Sequence, residues 1–378
     1  MQYNYILDNI YIYIMERSLE KVRFLKRNNI SSDNKLLYFD IFKKNNELFL
    51  IVPVYNKNIK FINRIKIINN GYKLNLKKKK LKLVYEPIIV LIYDFNSNNN
   101  NITVTYNNIV KHYELDNINT NKTFKLTLTT IFKSDYYLFD IFYNYYTKQG
   151  VEHFYMYYNA EVHQKIKDIF LKKENVTLIE WNFDYWITGK DIVSRHHAQM
   201  GSLHHAIYRY GKDVTEYMIF CDFDEYLLPP NNRLINMINS NYDTYMFFNI
   251  FSELLDNNIS NQTDLPIKFK VGEKTIKNIK QGKNKFQRSK CIHKLDSIDI
   301  IGIHNCYLYL NSNSKIKLNM NLNNCMYHFY REGNQIDETS TAGKKFHCNS
   351  IFNINSKEHL LYDLLIDLIN NRKYKENF

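Results

Sequence analysis

Cysteine, glycine and proline are all scarce in this chain, and each shortage removes a class of architecture. Among 378 residues there are five cysteines, ten glycines and five prolines. Cys221, Cys291, Cys306, Cys325 and Cys348 are odd in number and form no C-x-x-C pair, which argues against a disulfide framework and a zinc ribbon and for a reducing compartment. So little glycine and proline leaves no room for collagen-like or linker-rich designs. The chain also lacks any uninterrupted run of about eighteen apolar residues, so no transmembrane helix is expected. Its start, Met1-Gln2-Tyr3-Asn4-Tyr5, has no basic region of the secretory kind.

What is present is a long chain with apolar and aromatic side chains enough for a substantial core. The formal charge is 51 minus 38, or +13, which favours anionic partners: nucleic acid, acidic lipid or a nucleotide diphosphate. Charge alone does not choose among them. The basic run Lys77-Lys78-Lys79-Lys80 reads as a solvated strand end or loop. Asn, Lys, Ile and Tyr are abundant throughout, a bias that lowers the weight of any isolated residue of those types.

Residues 1–120 carry short apolar runs between Asn-rich turns, such as Leu48 to Val54 and Glu86 to Tyr93, and predict a mainly β N-terminal module. Residues 96–101 read as a loop within it and 116–121 as the linker after it. From about residue 123 strands alternate with helices. Strands are expected at Lys125 to Phe132, His153 to Tyr158, Val176 to Trp181 and Glu216 to Cys221. Helices are expected after Ser134 or Asp135 through Lys148, at Val162 to Lys172 and at Ser194 to Tyr210, with Gly150 and Gly211 as stops. This alternation predicts a mostly parallel sheet covered on both faces, with ligands gathering beyond the carboxyl ends of its strands. Further on, the pattern predicts a short helix at Arg233 to Asn239 and strands at Thr244 to Phe251, Ile298 to Ile303 and Met326 to Tyr330. A C-terminal extension, 336–378, carries an amphipathic helix with Leu361, Leu364, Leu365 and Leu368 on one stripe and Ser356 as its cap.

The stretch Cys221-Asp222-Phe223-Asp224-Glu225-Tyr226-Leu227-Leu228-Pro229-Pro230 lies at one of those strand ends. In an extended chain Asp222 and Asp224 project together while Phe223 points into the packing. Two convergent carboxylates repel unless a cation lies between them, and oxygen ligands of this kind suit Mg²⁺ or Mn²⁺. Alternation turns Glu225 away from the pair and makes it a brace for the loop. The stretch His196-His197-Ala198-Gln199-Met200-Gly201-Ser202-Leu203-His204-His205 has the composition of a zinc cluster, but its four histidines fall around a helix, and only pairs such as His197 with His204 share a side.

Five blocks stand in order along the chain: "LTTIFKSDYYLFDIFYNYYTKQGVEHFYMYYN", "QMGSLHH", "IFCDFDEYLLP", "SKCIHKLDSIDIIGIHN" and "MYHFYREG". Together they resemble glycosyltransferase family 92, and more loosely the family 2 type. The resemblance spans about 123–335 and implies a GT-A, Rossmann-like nucleotide-sugar-binding domain behind the β module, an α/β class overall. It implies that Asp222 and Asp224 engage Mn²⁺ (or Mg²⁺) bridging the diphosphate of a UDP-sugar, with His304 as a further ligand and His328 as its alternative. Thr129, Thr130, Lys133, Tyr158 and Asn159 would border base and ribose. Tyr158 stands where the family usually has Asp. Arg195 and Gln199, four apart, would face the donor from one side of their helix, and Lys290 and Arg331 would neutralise phosphate or orient an acceptor. Inversion at the anomeric carbon, implied by the resemblance, needs a general base, for which Glu253 and Asp256 are the candidates.

The resulting expectation is a metal-dependent inverting glycosyltransferase that moves galactose or a related hexose from a UDP-sugar to a glycan or glycoprotein acceptor. Two other readings stand beside it. One is a metal-dependent nucleic-acid-processing or nucleic-acid-binding protein, against which the basic residues are dispersed and form no recognisable binding motif; no specific nucleic acid is expected. The other is a degenerate transferase acting as a glycan-binding protein. The missing membrane anchor differs from Golgi members of the family. Together with the abundance of Asn, Lys, Ile and Tyr, which reads as the bias of an AT-rich genome, it points to a viral or protist protein of the cytoplasm, or, if viral, of the host cytoplasm or virion.

Overall fold

Strand β1, Phe124–Phe132, has no long polar alternation, and all but one of its residues are buried, the mark of a strand covered on both faces. A computed structural model of the chain describes residues 19–21, 25–26, 36–54, 59–82, 88–116, 123–133, 136–185, 197–229, 233–254, 269–271, 289–304, 306–309, 313–319 and 326–329. Chain order continues with α1 (Phe139–Lys148), β2 (His153–Tyr158), α2 (Gln164–Phe170), β3 (Val176–Glu180), α3 (His197–His205) and β4 (Thr215–Phe220). Then come β5 (Glu225–Leu227), β6 (Thr244–Phe247), β7 (Asn249–Leu254), β8 (Lys290–Lys294), β9 (Ile316–Asn319) and β10 (Met326–Phe329).

The central sheet has the order Leu19–Lys21, β3, β2, β1, β4, β8, β6, β9. Strands β3, β2, β1 and β4 are parallel, β8 is antiparallel to both its neighbours, and β6 therefore runs with β4. This mixed α/β architecture carries the expected parallel core. The carboxyl ends of β1, β2, β4 and β6 consequently lie along one edge, and the start of β8 joins them there. A second sheet, β5-β10-β7 with Phe269–Val271, stands beyond that edge.

Alternation along the central strands feeds two cores. Leu126, Leu128 and Phe132 pack with Phe139, Phe142, Ile166 and Phe170 of α1 and α2. On the other face Ile131, Tyr157, Met218 and Phe220 pack with Ala198, Met200 and Leu203 of α3.

The mainly β N-terminal region supplies the rest of that second core. Asp40–Lys44, Glu47–Pro53, Ile88–Asp94 and Leu76–Lys82 form one antiparallel sheet, and Ile109–Glu114, Asn101–Tyr106, Ile65–Asn69 and Tyr72–Lys73 another. Leu48, Leu50 and Val52 of the first of these face Ile67, Ile102 and Val104 of the other. Their alternates Phe49 and Ile51 join the α3 core. One sheet is thus sandwiched between its partner sheet and helix α3, which explains why its two central strands, Glu47–Pro53 and Ile88–Asp94, read as continuous apolar runs.

Several sequence expectations shift. The run Thr244 to Phe251 is not one strand: it breaks at Phe248 into β6 and β7, which belong to different sheets. Helix α3 changes at Ala206–Gly211 into a π-helical turn, closed by the Lys212 N–H on the Ile207 carbonyl. Lys77 to Lys80 are neither strand end nor loop, since they sit inside the strand Leu76–Lys82. There Lys77 pairs with Glu47 and Asp94, and Lys80 with Asp299. The expected caps Ser134 and Asp135 and the C-terminal amphipathic helix lie outside the described residues. Among the described residues no helix is long and apolar enough to cross a membrane.

Candidate active site

Residues 222–225 are a turn, not an extended continuation of β4. The Glu225 N–H donates to the Asp222 carbonyl at 3.0 Å, and the Glu225 carboxylate returns to accept the Asp222 N–H at 2.7 Å. Glu225 does brace the loop, as expected, but it does not face away: the turn breaks the alternation and brings all three carboxylates to one corner. The anchor is Phe223, which packs in the α1 and α2 core against Phe132 and Phe142, ring centroids 5.0 Å from each. Burying one such ring is worth about 1.5–3 kcal/mol, enough to hold a four-residue turn in place. Helix α1 ties the turn from below. The Tyr146 hydroxyl donates to the Glu225 carbonyl at 2.9 Å and accepts the Leu227 N–H at 3.1 Å and the Cys221 thiol at 3.3 Å. Tyr145 adds a bond to the Leu227 carbonyl at 2.7 Å.

Lys290 closes the corner. Pairing of Phe220 with Cys291 sets it at the carboxyl edge, and Phe247 lies across from it on its other side. Its ammonium is 3.0 Å from Asp222 Oδ2 and 3.0 Å from Glu225 Oε2. Burial pulls this ammonium toward the neutral form, but Asp222 and Glu225 outweigh it, and the net shift is upward. Lys290 therefore stays charged. The carboxylates are unevenly presented: Asp222 keeps 37% of its side chain exposed, whereas Asp224 and Glu225 are buried.

The other expected site residues divide. Gln199 of α3 reaches the corner through Tyr185, whose hydroxyl donates to Gln199 Oε1 at 3.0 Å. Tyr185 is held protonated by burial and by the nearby charge of Asp222. His304 lies beside β8, where its Nδ1–H donates to the Ser289 carbonyl at 3.0 Å; that assigns the lone pair to Nε2. Thr129 and Thr130 point to opposite faces of β1. Thr129 donates to the Tyr155 carbonyl at 3.1 Å, and Thr130 Oγ1 is buried without a hydrogen-bond partner. Lys133 is exposed and Tyr158 is buried, its hydroxyl 3.4 Å from His163 Nε2.

Asn159 uses its amide internally, donating to the Trp181 and Phe183 carbonyls at 2.8 and 2.7 Å. It shapes the 181–185 segment that carries Tyr185. Glu253 lies in β7 and His328 in β10, where His328 pairs in register with Glu225 on one side and Phe251 on the other. Arg195, Asp256 and Arg331 lie outside the described residues.

Two of the four histidines around α3 are committed to packing. His204 accepts the Ile301 N–H at 3.2 Å and donates to the Met200 carbonyl at 2.8 Å. His205 bridges Asp40 at 2.9 Å and Tyr157 at 2.8 Å. Sequence reasoning missed Tyr145, Tyr146 and Tyr185, whose signal is drowned in a chain with 32 tyrosines. Among the described residues no three His, Cys, Asp or Glu side chains converge on a point that would hold a metal ion.

The turn of carboxylates and the buried lysine thus stand at the carboxyl edge of the parallel strands, the place where ligands gather in open α/β sheets. No curated protein sequence matches this chain. The family model for glycosyltransferase family 92 matches residues 122–360, more than half of the chain and all of the central sheet from β1 onward, and the chain belongs to that family.

Proposed function

We propose that this glycosyltransferase is a GT-A-type, inverting enzyme that uses a UDP-sugar, with galactose or a related hexose as the group transferred to a glycan or glycoprotein. The observation that carries the reading is the Asp222–Glu225 turn with Lys290 at the carboxyl edge of the parallel strands. Asp222 presents a part-exposed carboxylate at this edge. Ions such as Mg²⁺ are bound through one or two carboxylates together with substrate phosphates, so a site without three converging protein ligands fits the group. Asp222 and Asp224 would hold Mn²⁺ or Mg²⁺ together with the donor's phosphates; His304, the expected nitrogen donor, does not converge with both of them in the described arrangement. When bound, such a dication stabilises the negative charge that grows on the departing diphosphate.

The chain's own residues do the rest. Lys290 holds Asp222 in place and adds positive charge beside the diphosphate. Tyr185 and Gln199 line the α3 side of the corner. Tyr158, at the end of β2, and Lys133 border the nucleoside. Glu253 is our candidate for the base that takes the proton of the acceptor hydroxyl, with Asp256 as the alternative.

Thermal unfolding with UDP and a panel of UDP-sugars, each with and without Mn²⁺, tests this reading. Metal-dependent stabilisation by UDP is expected for the wild type and is expected to vanish in Asp222→Ala with Asp224→Ala. Salt-sensitive oligonucleotide binding with no nucleotide-sugar effect would overturn the proposal.

A further inference from the structure

We propose that Asn249 reads hydroxyl groups of the transferred sugar and so sets donor specificity. Asn249 is the first residue of β7 and is 4% exposed. Neither its Oδ1 nor its Nδ2 has a hydrogen-bond partner, and both atoms are shielded from water. Native interiors rarely leave both ends of an amide unsatisfied, because each end forfeits its hydration and gains nothing. A leucine has nearly the same shape and carries no such penalty. Stability alone therefore gives no reason for an asparagine here, and a ligand that completes the amide does.

The position agrees. Strand β6 runs parallel to β4 and ends at the same edge as the Asp222 turn, with Phe247 opposite Lys290. Asn249 comes two residues further on, and Phe247 and Phe248 are locked into the core just before it. Pairing of β7, β10 and β5 sets Asn249 in one row with Met326 and Leu227, two strands from the end of the turn. It stands on the β6 side of Asp222, while β1 and β2 lie on the other. With the nucleoside at β1 and β2 and the diphosphate at Asp222, the sugar falls on the β6 side.

The chemistry narrows the ligand further. A phosphate oxygen only accepts, and would satisfy Nδ2 alone. Adjacent sugar hydroxyls both donate and accept, and satisfy the two ends together. A uracil edge also pairs with an amide in that way, but on the reading above it lies at the far side of the sheet. A site built to hydrogen-bond a hydroxyl rejects an analogue that lacks it, so the effect falls on discrimination between sugars.

This inference rests on the nucleotide-sugar reading, and the experiment separates the two. Affinities of the full chain for UDP, UDP-galactose, UDP-glucose and UDP-N-acetylglucosamine are measured with Mn²⁺ for wild type, Asn249→Leu and Asn249→Ser, together with kcat/KM for the preferred donor and the melting temperature of the free protein. The expected result is unchanged UDP affinity, at least tenfold weaker binding of the preferred UDP-sugar, a lowered kcat/KM and a raised melting temperature in Asn249→Leu. Wild-type sugar affinity and kcat/KM in both variants would overturn the proposal. An equal loss for UDP and UDP-sugar would also overturn it, by moving the contact to the nucleotide. Should Asn249→Leu fail to fold, Asn249→Ser, which keeps a single small hydroxyl, carries the same comparison. A wild type that binds UDP but discriminates no sugar defeats the inference alone, and one that binds no nucleotide at all defeats the reading beneath it.

Discussion

Lys290 donates to Asp222 Oδ2 at 3.0 Å across 68 residues of sequence, from a position that is itself almost wholly buried. Removing one partner of a buried pair strands the other, at a cost of about 3–5 kcal/mol. Lys290→Met is expected to lower stability by that order in chemical denaturation and to abolish transfer. Because the folded-state pKa of Lys290 lies above its unfolded value, its contribution is complete below about pH 10 and is lost as pH rises beyond that. The stability difference between wild type and Lys290→Met should therefore stay flat from pH 6 to 9 and shrink above pH 10.

Tyr146 joins both arms of the carboxylate turn to helix α1 through a single hydroxyl. Tyr146→Phe leaves the ring in the core and deletes only those bonds. A loss of about 1–3 kcal/mol is expected from the stranded backbone groups. Activity should fall with it, more in kcat than in KM, if the turn loosens while the nucleoside pocket stays intact. Steady-state kinetics on the purified variant reads this.

Gly201 of α3 sits under Phe39 so closely that an added Cβ would come within 2.6 Å of the ring. The ring has nowhere to go, being stacked on Trp181 at 5.3 Å and edge-on to Phe183 at 5.0 Å. Gly201→Ala is expected to destabilise by about 1–3 kcal/mol through overpacking. Phe39→Leu should recover part of that loss in the double variant, giving a coupling term that independent sites would not show.

His293 is buried and neutral, its pKa lowered by burial to about 3, with Thr244 Oγ1 2.8 Å from its Nδ1. A base whose folded pKa is depressed contributes most above its unfolded value, near pH 6.5, and its contribution falls as pH drops from there toward 3. The slope for one such group is about 1.4 kcal/mol per pH unit. Urea unfolding between pH 4 and 7 should show a shallower pH dependence in His293→Gln than in the wild type, approaching that difference in slope well below pH 6.5 and vanishing above it.

Much of the architecture was legible because it is local. Alternation of short apolar runs with 3.6-period segments located β1, β2, β3 and β4 to within a residue or so, and glycine marked the helix stop, where Gly150 adopts φ +94. The run Thr244 to Phe251 misled because it is apolar throughout; nothing local marks Phe248 as the point where the chain leaves one sheet for another. Glu225 misled for a related reason, since its alternation assumed an extended chain where Phe223, drawn into the α1 and α2 core, bends it into a turn.

The sequence by itself determined the α/β class, the parallel core and the position of Asp222 and Asp224 at a strand end, all of which follow from periodicity over a few residues and from the chemistry of adjacent carboxylates. Only the tertiary structure decided which charge answers those carboxylates, which tyrosines brace them and which amide is left unsatisfied. Lys290 and Tyr146 meet the turn, and Asn249 is set two strands from it, through strand pairing and helix packing across tens of residues, and contacts of that range leave no periodic trace in the chain.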